Sequence, residues 1–260
     1  MNRAPLLPLP LPLSPLALFM LVACSTATLP GPDLLPAADL AAPDQLAADL
    51  RPLLRTVVII GSSTAAGTGA SSPAASWAGQ VSAAAVQRCP QTRIVNLAVG
   101  GYTTWQGMPA AASRLAGRPA SDPAHNVEAA VALHPDLVMI LFPSNDAASK
   151  FPLSETLANQ TALRDSVRAA GATDMIIGPF PRSFAGADQI GLMTGLRDQL
   201  PAIGSPRYLA LWDALAATDS SVQTQYAAGD GIHLNDAGHA VLAQKVLASP
   251  AWAAICPAQP

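Results

Sequence analysis

The sequence has few charged and few aromatic residues, which make up 12% and 5% of its 260 positions. Its formal net charge is −3, and no two of its lysine and arginine residues are adjacent. A protein that binds nucleic acid or an anionic membrane surface usually presents a cluster of positive charge. The composition therefore argues against both kinds of partner.

The motifs of two common kinds of site are also missing. The chain has four histidines, none of them in the H-E-x-x-H pattern of zinc hydrolases, so we expect no metal site. A glycine-containing turn, Gly61 to Gly69, follows an apolar segment, but it lacks the G-x-G-x-x-G spacing that binds a dinucleotide. The next apolar segment also lacks an acidic residue for the ribose. We therefore expect no cofactor.

Cysteine is scarce, and the first of the three cysteines lies near the N-terminus. A short positive start is followed by an apolar run, and Leu21-Val22-Ala23-Cys24 resembles the lipobox of bacterial lipoproteins. Prolines interrupt the run, which is shorter than the ~20 residues of a membrane span, so we expect no transmembrane helix here. Residues 1–23 are predicted to be a signal peptide and Cys24 to be lipidated. The alternative is an ordinary secretory signal, cleaved for example after Ala27.

Residues 24–55 are rich in alanine, proline and aspartate and contain no aromatic residue. Such a segment cannot bury enough apolar surface to fold alone. We predict a linker that holds the following domain away from a membrane, with a frayed N-terminal extension as the alternative. Together, the two N-terminal segments predict a bacterial cell-envelope protein that is lipid-anchored at the outer membrane or periplasmic face, or secreted. The lipid would be its only contact with a membrane.

Residues 56–260 are predicted to form one domain, because about 200 residues suffice for a single core. Strand-like and helix-like patterns alternate, which is typical of a parallel sheet covered on both faces. Val57–Ile60 is an uninterrupted apolar strand, as expected when both faces are buried. The last of five predicted strands is Tyr208–Trp212. We expect an α/β fold, a three-layer α/β/α sandwich around a five-stranded parallel sheet.

A serine follows the first apolar strand at a position typical of a nucleophile. Gly61-Ser62-Ser63-Thr64 comes directly after that strand. A serine hydroxyl becomes reactive when a neighbouring imidazole takes its proton, and a carboxylate must orient that imidazole. Near the C-terminus, Asp230 and His233 lie three residues apart, just before a helix pattern. One short loop can therefore supply both groups that Ser63 needs.

Two further strand-like segments end in hydrogen-bond donors. Residues 93–99 lead into Gly100-Gly101, and residues 136–142 lead towards Asn145. Open parallel sheets bind ligands at the carboxyl ends of their strands. A tetrahedral intermediate needs donors there, and a glycine backbone N–H and an asparagine amide are suitable. We therefore expect an oxyanion-binding site at this edge of the sheet.

With these blocks in this order, the chain resembles the SGNH, or GDSL-type, serine hydrolases over roughly residues 56–248. The resemblance implies a flavodoxin-like fold with strand order 2-1-3-4-5 and a serine esterase activity. It implies these roles: Ser63 as nucleophile, His233 as base, Asp230 as the group that orients it, and Gly101 and Asn145 as oxyanion donors.

The chain departs from the family's pattern at two positions. The family usually has Gly-Asp-Ser where Ser62 precedes Ser63 here, so an acidic residue that buttresses the turn is missing. We favour Ser63 over Ser62 because it keeps the family's Gly-x-Ser-x-x-x-Gly spacing. Pro143 stands where the third block usually has glycine. Proline removes a backbone N–H, but the amide of Asn145 can still donate.

We expect a monomeric, exported esterase that cleaves short-acyl, above all acetyl, esters of small molecules or carbohydrates. The small residues Ala65, Ala66 and Gly67 after the nucleophile and the lack of a long apolar lid favour a short acyl group. Lipase, thioesterase or acyltransferase activity of the same fold stays open, since an alcohol can intercept an acyl-enzyme. A non-catalytic glycan-binding envelope lipoprotein is the competing class. The presence of all the expected site residues argues against it.

The resemblance also implies a Cys89–Cys256 disulfide. In the flavodoxin-like strand order, the first and last helices lie side by side and end at the edge of the sheet opposite the active site. Cys89 follows the first of these helices and Cys256 follows the last. An exported protein reaches an oxidising compartment, where such pairs form. Two buried free thiols are the alternative.

Overall fold

The computed structural model describes residues 54–257 except Pro143 and Ala185. The predicted signal peptide, the lipidation site at Cys24 and nearly all of the predicted linker lie outside the described residues. They stay predictions.

Four parallel strands form one sheet in the described part of the chain. Their order across the sheet is β2-β1-β3-β4, which is the order expected for the first four strands. In chain order, the strands are β1 (Arg55–Gly61), β2 (Thr92–Asn96), β3 (Leu137–Leu141) and β4 (Thr173–Ile176).

Helices alternate with these strands, as the sequence pattern predicts. No helix in residues 54–257, so far as they are described, is both long and apolar enough to cross a membrane. The α-helices are α1 (Ser63–Ala66), α2 (Trp77–Arg88), α3 (Thr104–Gly107), α4 (Val127–Val131), α5 (Ser144–Ala148), α6 (Leu153–Ala169), α7 (Ala187–Gly204), α8 (Trp212–Leu215), α9 (Asp236–Leu247) and α10 (Pro250–Ile255), with a 3₁₀ turn at Thr224–Tyr226.

The sheet is buried on both faces. In β1, Val57 and Ile59 point to one face while Val58 and Ile60 point to the other, and all are inaccessible to solvent. The first face is covered by α2, α9 and α10, and the second by α4, α6 and α7. This arrangement confirms the predicted three-layer α/β/α sandwich.

The prediction of a fifth strand at Tyr208–Trp212 is wrong, because this segment does not form a strand. Only Leu209 pairs with the sheet, through an isolated parallel bridge to Ile177. Its N–H donates to the carbonyl of Ile176 at 2.9 Å, and its carbonyl accepts from Gly178 at 2.8 Å. The chain turns into α8 at Trp212, so further pairs cannot form. The sheet therefore has four strands and a bridge where five strands were expected.

The structure joins Cys89 and Cys256 by a disulfide whose Cα atoms lie 5.7 Å apart. Cys89 ends α2 and Cys256 ends α10, a short helix that the sequence pattern did not indicate. The carbonyl of Cys89 accepts from the N–H of Thr92, which begins β2. The bridge thus lies at the edge where the strands start, opposite their carboxyl ends.

Removing this bridge with the double variant Cys89→Ser/Cys256→Ser is expected to lower thermal stability without lowering kcat. The bridge closes a loop across 167 residues, for which the chain-entropy estimate is about 5 kcal/mol at most. For a domain of this size, that corresponds to a fall in Tm of up to roughly 10–20 °C. Calorimetry and an ester-hydrolysis assay at 25 °C measure the two quantities. Reduction of the wild-type protein should reproduce the variant's Tm, and an unchanged Tm in both would contradict a stabilising bridge.

Candidate active site

The candidate nucleophile lies at a tight turn between β1 and α1. At Gly61, the last residue of β1, a Cβ atom would lie 2.3 Å from the carbonyl oxygen of Leu141 and 2.5 Å from the Cβ of Ala65. Only glycine lets the turn approach β3 this closely. The N–H of Ser62 then donates to the same Leu141 carbonyl at 3.0 Å. The close contact places Ser63 at the carboxyl edge of the two central strands.

The two adjacent serines have different surroundings. Ser62 is buried, with 3% of its surface exposed, whereas Ser63 is half-buried and begins α1. The Oγ of Ser63 lies 2.9 Å from Nε2 of His233. As the first residue of the helix, Ser63 also has a backbone N–H without an acceptor in its own helix. The geometry therefore points to Ser63, not Ser62, as the residue that an imidazole can activate.

His233 links Ser63 to Asp230. Its Nδ1 lies 2.6 Å from Oδ2 of Asp230, so the tautomer with a proton on Nδ1 leaves Nε2 to accept from the serine hydroxyl. The other carboxylate oxygen of Asp230 accepts from the N–H groups of Ile232 and His233, both at 2.8 Å. These backbone bonds hold the carboxylate at a fixed angle to the ring. The structure thus brings together three residues separated by up to 170 positions.

The Asp230 carboxylate is strongly acidic. Burial, the largest single contribution, opposes its ionisation, but the hydrogen bonds from the His233 backbone, the His233 ring and the Ile232 backbone together outweigh it. They lower the pKa of Asp230 to about 2 from an ordinary value of 3.8. Asp230 is therefore charged at any pH near neutrality, and it can stabilise an imidazolium at His233.

The loop after α1 packs directly against the loop that carries Asp230 and His233. At Gly69, with φ +98°, a Cβ would lie 2.2 Å from the Leu234 carbonyl oxygen and 2.9 Å from the Cβ of His233. The buried His239 ties the same loop to α9, since its Nδ1 accepts from Trp77 N–H and its Nε2 donates to the Thr68 carbonyl. Burial lowers the pKa of His239 and favours this neutral form. His239 is thus a structural residue of the site region.

The predicted oxyanion glycine lies in the loop after β2. Gly101 is exposed and has φ +84°, a backbone conformation that favours glycine. A Cβ on the preceding Gly100 would lie 3.9 Å from the Cβ of Ser63, so the loop passes close to the nucleophile. The structure therefore brings Gly101 to the same edge as Ser63.

Asn145 joins this group from the first turn of α5. Its Nδ2 donates to the backbone carbonyl of Tyr102, the residue after Gly101, at 2.8 Å. Its Oδ1 accepts from Nη1 of Arg182 at 3.0 Å. An amide nitrogen carries two hydrogens, and the described contacts use one of them. The second is the donor that a substrate oxygen can use.

The residue after Asn145 anchors this corner from below. Asp146 is inaccessible to solvent, and its carboxylate accepts from the N–H and the hydroxyl of Thr104 in α3. Burial raises the pKa of Asp146 to about 7, although the bonds from Thr104 oppose the shift. The contact fixes α5 against α3, so it holds Asn145 relative to the Gly101 loop.

Sequence reasoning missed one residue that contacts the site, Arg182. It lies in the loop after β4, directly after Pro179-Phe180-Pro181, and its guanidinium reaches the side chain of Asn145. Basic residues are rare in this chain, with 14 in all. An arginine just past the carboxyl end of a strand was the available signal.

Comparison with known proteins places the chain in one family. Residues 59–241 match the GDSL-like Lipase/Acylhydrolase family. No curated protein sequence shows significant similarity to the chain. Many solved structures do share its fold, however, at low sequence identity.

Three of these solved structures illustrate the similarity. A lipase/acylhydrolase from Enterococcus faecalis aligns with a TM-score of 0.58 and 16% identity, over 80% of this chain and 100% of that one. An acetylxylan esterase from Geobacillus stearothermophilus aligns with a TM-score of 0.55 and 16% identity, over 74% and 92%. The psychrotrophic esterase EstA from Pseudoalteromonas sp. aligns with a TM-score of 0.53 and 16% identity, over 75% and 96%.

The family match covers most of the chain and spans every residue of the candidate site from Ser63 to His233. The fold similarity covers between 74% and 80% of the chain in these three structures. The protein therefore belongs to the GDSL-like lipase/acylhydrolase family, whose members are serine esterases that act on ester bonds.

Proposed function

We propose that the protein is an exported serine esterase that removes short acyl groups, above all acetyl groups, from small-molecule or carbohydrate esters. The observation that carries this proposal is the continuous hydrogen-bonded series Asp230–His233–Ser63 beside two possible oxyanion donors. The presence of acetylxylan esterases among the proteins of similar fold supports an acetylated carbohydrate as the substrate.

In the acylation step, His233 Nε2 takes the proton of Ser63 as Oγ bonds to the ester carbonyl carbon. The carbonyl π electrons move to the oxygen, and the resulting oxyanion accepts from the backbone N–H of Gly101 and from Nδ2 of Asn145. Asp230 stabilises the imidazolium throughout. The C–O bond to the alcohol then breaks, and the imidazolium gives its proton to the departing oxygen.

In the deacylation step, a water molecule takes the place of the alcohol. His233 removes one proton from the water as its oxygen attacks the acyl carbon, and the same donors bind the second oxyanion. When this intermediate collapses, Ser63 Oγ leaves and recovers a proton from His233. The products are a carboxylic acid and the free enzyme, so the residues return to their starting protonation states.

We further propose that the protein acts in the bacterial cell envelope, anchored by a lipid on Cys24. The supporting observations are the leader-like segment before Cys24 and the Cys89–Cys256 bridge, because disulfides persist mainly in oxidising compartments. The Ala/Pro/Asp-rich segment would then hold the catalytic domain away from the membrane. We propose a monomer as its working form.

A fluorophosphonate probe is expected to label Ser63, because its Oγ lies within hydrogen-bonding distance of His233. Intact-mass analysis and peptide mapping should find one adduct, on Ser63. Ser63→Ala should abolish labelling and lower kcat on the order of 10⁴-fold or more. Ser62→Ala is the matched control on the neighbouring buried serine and should retain labelling. An adduct on Ser62, or none in wild type, would remove Ser63 from the mechanism.

The carboxylate of Asp230 is expected to stay charged between pH 4 and neutrality. Asp230 has its pKa lowered to about 2, so it contributes stability above its ordinary value of 3.8 and loses it only as the pH falls towards 2. The carboxyl ¹³C chemical shift of Asp230 should therefore stay constant from neutrality down to pH 4. An NMR titration of the labelled protein, with Asp230→Asn to assign the signal, measures this. A shift that moves above pH 4 would show that the hydrogen bonds from His233 and Ile232 do not keep Asp230 charged.

Activity is expected to fall as the acyl chain lengthens. A long chain needs continuous apolar surface, but the large exposed apolar side chains among the described residues are few and scattered: Leu54, Val86, Leu115 and Ile190. Of the small residues after the nucleophile, Ala65 is buried while Ala66 is exposed. For p-nitrophenyl esters, kcat/KM should fall at least about tenfold from acetate to octanoate. Rates that rise steadily with chain length would instead indicate a lipase.

A further inference from the structure

Arg182 contacts the candidate oxyanion site but has no part in the Asp230–His233–Ser63 series. Its Nη1 donates to Oδ1 of Asn145 at 3.0 Å and lies 3.4 Å from the Ser144 carbonyl oxygen. The guanidinium carbon lies 5.0 Å from the centre of the Phe184 ring. A half-buried cation is therefore held against the one side-chain amide of the site.

The position of this cation is costly for the fold. The Nε of Arg182 is buried without a hydrogen-bond partner among the described residues, and burial lowers the pKa of Arg182 although the charge of Asp230 opposes the shift. A guanidinium remains charged in spite of such a shift. Burying part of a charge without satisfying every donor opposes folding. A charged residue kept at such a cost beside a candidate site is itself a candidate for a role in the reaction.

Arg182 and Tyr102 together select one orientation of the Asn145 amide. Oδ1 faces the N–H of a cation, and Nδ2 faces a carbonyl oxygen. If the amide were turned over, its NH₂ would face the guanidinium and its oxygen would face the carbonyl, and both bonds would be lost. The remaining N–H of Nδ2 is thereby kept in one direction. An oxyanion donor is effective when its direction is fixed before the charge develops.

The same contact strengthens the donor. A hydrogen bond from a cation to an amide oxygen draws electron density from the amide nitrogen, because the two atoms share one π system. The N–H on that nitrogen then donates more strongly, and the effect is larger where water is excluded. The gain grows with the negative charge on the substrate oxygen, so it is greater in the transition state than in the ground state.

We propose that Arg182 is a positioning residue for ester hydrolysis, which fixes and polarises the Asn145 amide so that Nδ2 meets the developing oxyanion. The proposal rests on the proposed role of Asn145 as an oxyanion donor. Arg182 acts through Asn145 and does not itself bind the substrate. Its removal should therefore lower kcat and leave KM nearly unchanged.

A double-mutant cycle between Arg182→Met and Asn145→Ala tests this coupling. Asn145→Ala should lower kcat about 10²–10³-fold. Arg182→Met should lower it about tenfold or more in the wild-type background, but less than about twofold in the Asn145→Ala background. Arg182→Lys, which keeps a charged donor without the planar fork, should recover part of the loss. Arg197→Met is the matched control, because Arg197 pairs with Asp198, lies over Trp212 and makes no hydrogen bond to Asn145 among the described residues; its kcat should stay within about twofold of wild type.

Several outcomes would overturn the proposal. Equal effects of Arg182→Met in both backgrounds would show that Arg182 acts elsewhere, for example on the charge of His233. A raised KM with unchanged kcat would show that it binds substrate. If Arg182→Met melts well below wild type, the same comparison is made with Arg182→Lys, whose loss must also vanish in the Asn145→Ala background. Failure of the proposed function has a different signature, because Asn145→Ala would then leave kcat unchanged or Ser63 would resist the fluorophosphonate.

Discussion

The contact between Gly61 and the Leu141 carbonyl is the constraint on which the candidate site depends. With no room for a Cβ at Gly61, the chain leaves β1 pressed against the end of β3. The turn that carries Ser63 and the turn that carries Asn145 therefore start from adjacent points in the sheet. The distance between Ser63 and the Asn145 amide is thus set mainly by the sheet register, which is rigid because both strands are buried on both faces. Catalytic groups on less constrained loops would need other contacts to keep them in place.

Residues remote from the central strands are held by separate polar contacts. The buried carboxylate of Asp146 fixes α5 against α3, and Asn159 donates to the same Thr104 hydroxyl at 2.9 Å. On the other side, neutral His239 joins the loop after α1 to α9, next to His233. Each contact buries polar groups that have partners, which favours one arrangement over alternatives. The site therefore combines a rigid sheet edge with two loops, each pinned by a hydrogen-bonded group.

The sequence predicted the layers and the first four strands because each had a local signature, and the residues that the structure brings together at the candidate site had local signatures too. An unbroken apolar run indicates a doubly buried strand, and Asp-x-x-His before a helix cap becomes specific in combination with the other blocks of the pattern. The segment around Leu209 has a strand-like pattern too. Strand pairing, however, depends on two segments of the chain at once, and only Leu209 comes into register with Ile177. Arg182 was missed for the same reason. Its role depends on Asn145, which lies 37 residues away in sequence, and no local pattern joins them.

The missing aspartate before Ser63 can be understood from the contacts of the turn. In this chain the turn is held chiefly by main-chain bonds and by side chains from other elements. Asn96 donates to the Ala65 carbonyl at 2.8 Å and the Trp77 indole to the Thr64 carbonyl at 2.8 Å. The Ala65 carbonyl has no main-chain donor among the described bonds, and the Thr64 carbonyl accepts from the Gly67 N–H as well as from the indole. With α1 anchored at its C-terminal end and Gly61 fixing its start, the residue at position 62 needs only to be small enough to be buried. Serine meets that requirement, so the turn keeps its shape without a carboxylate.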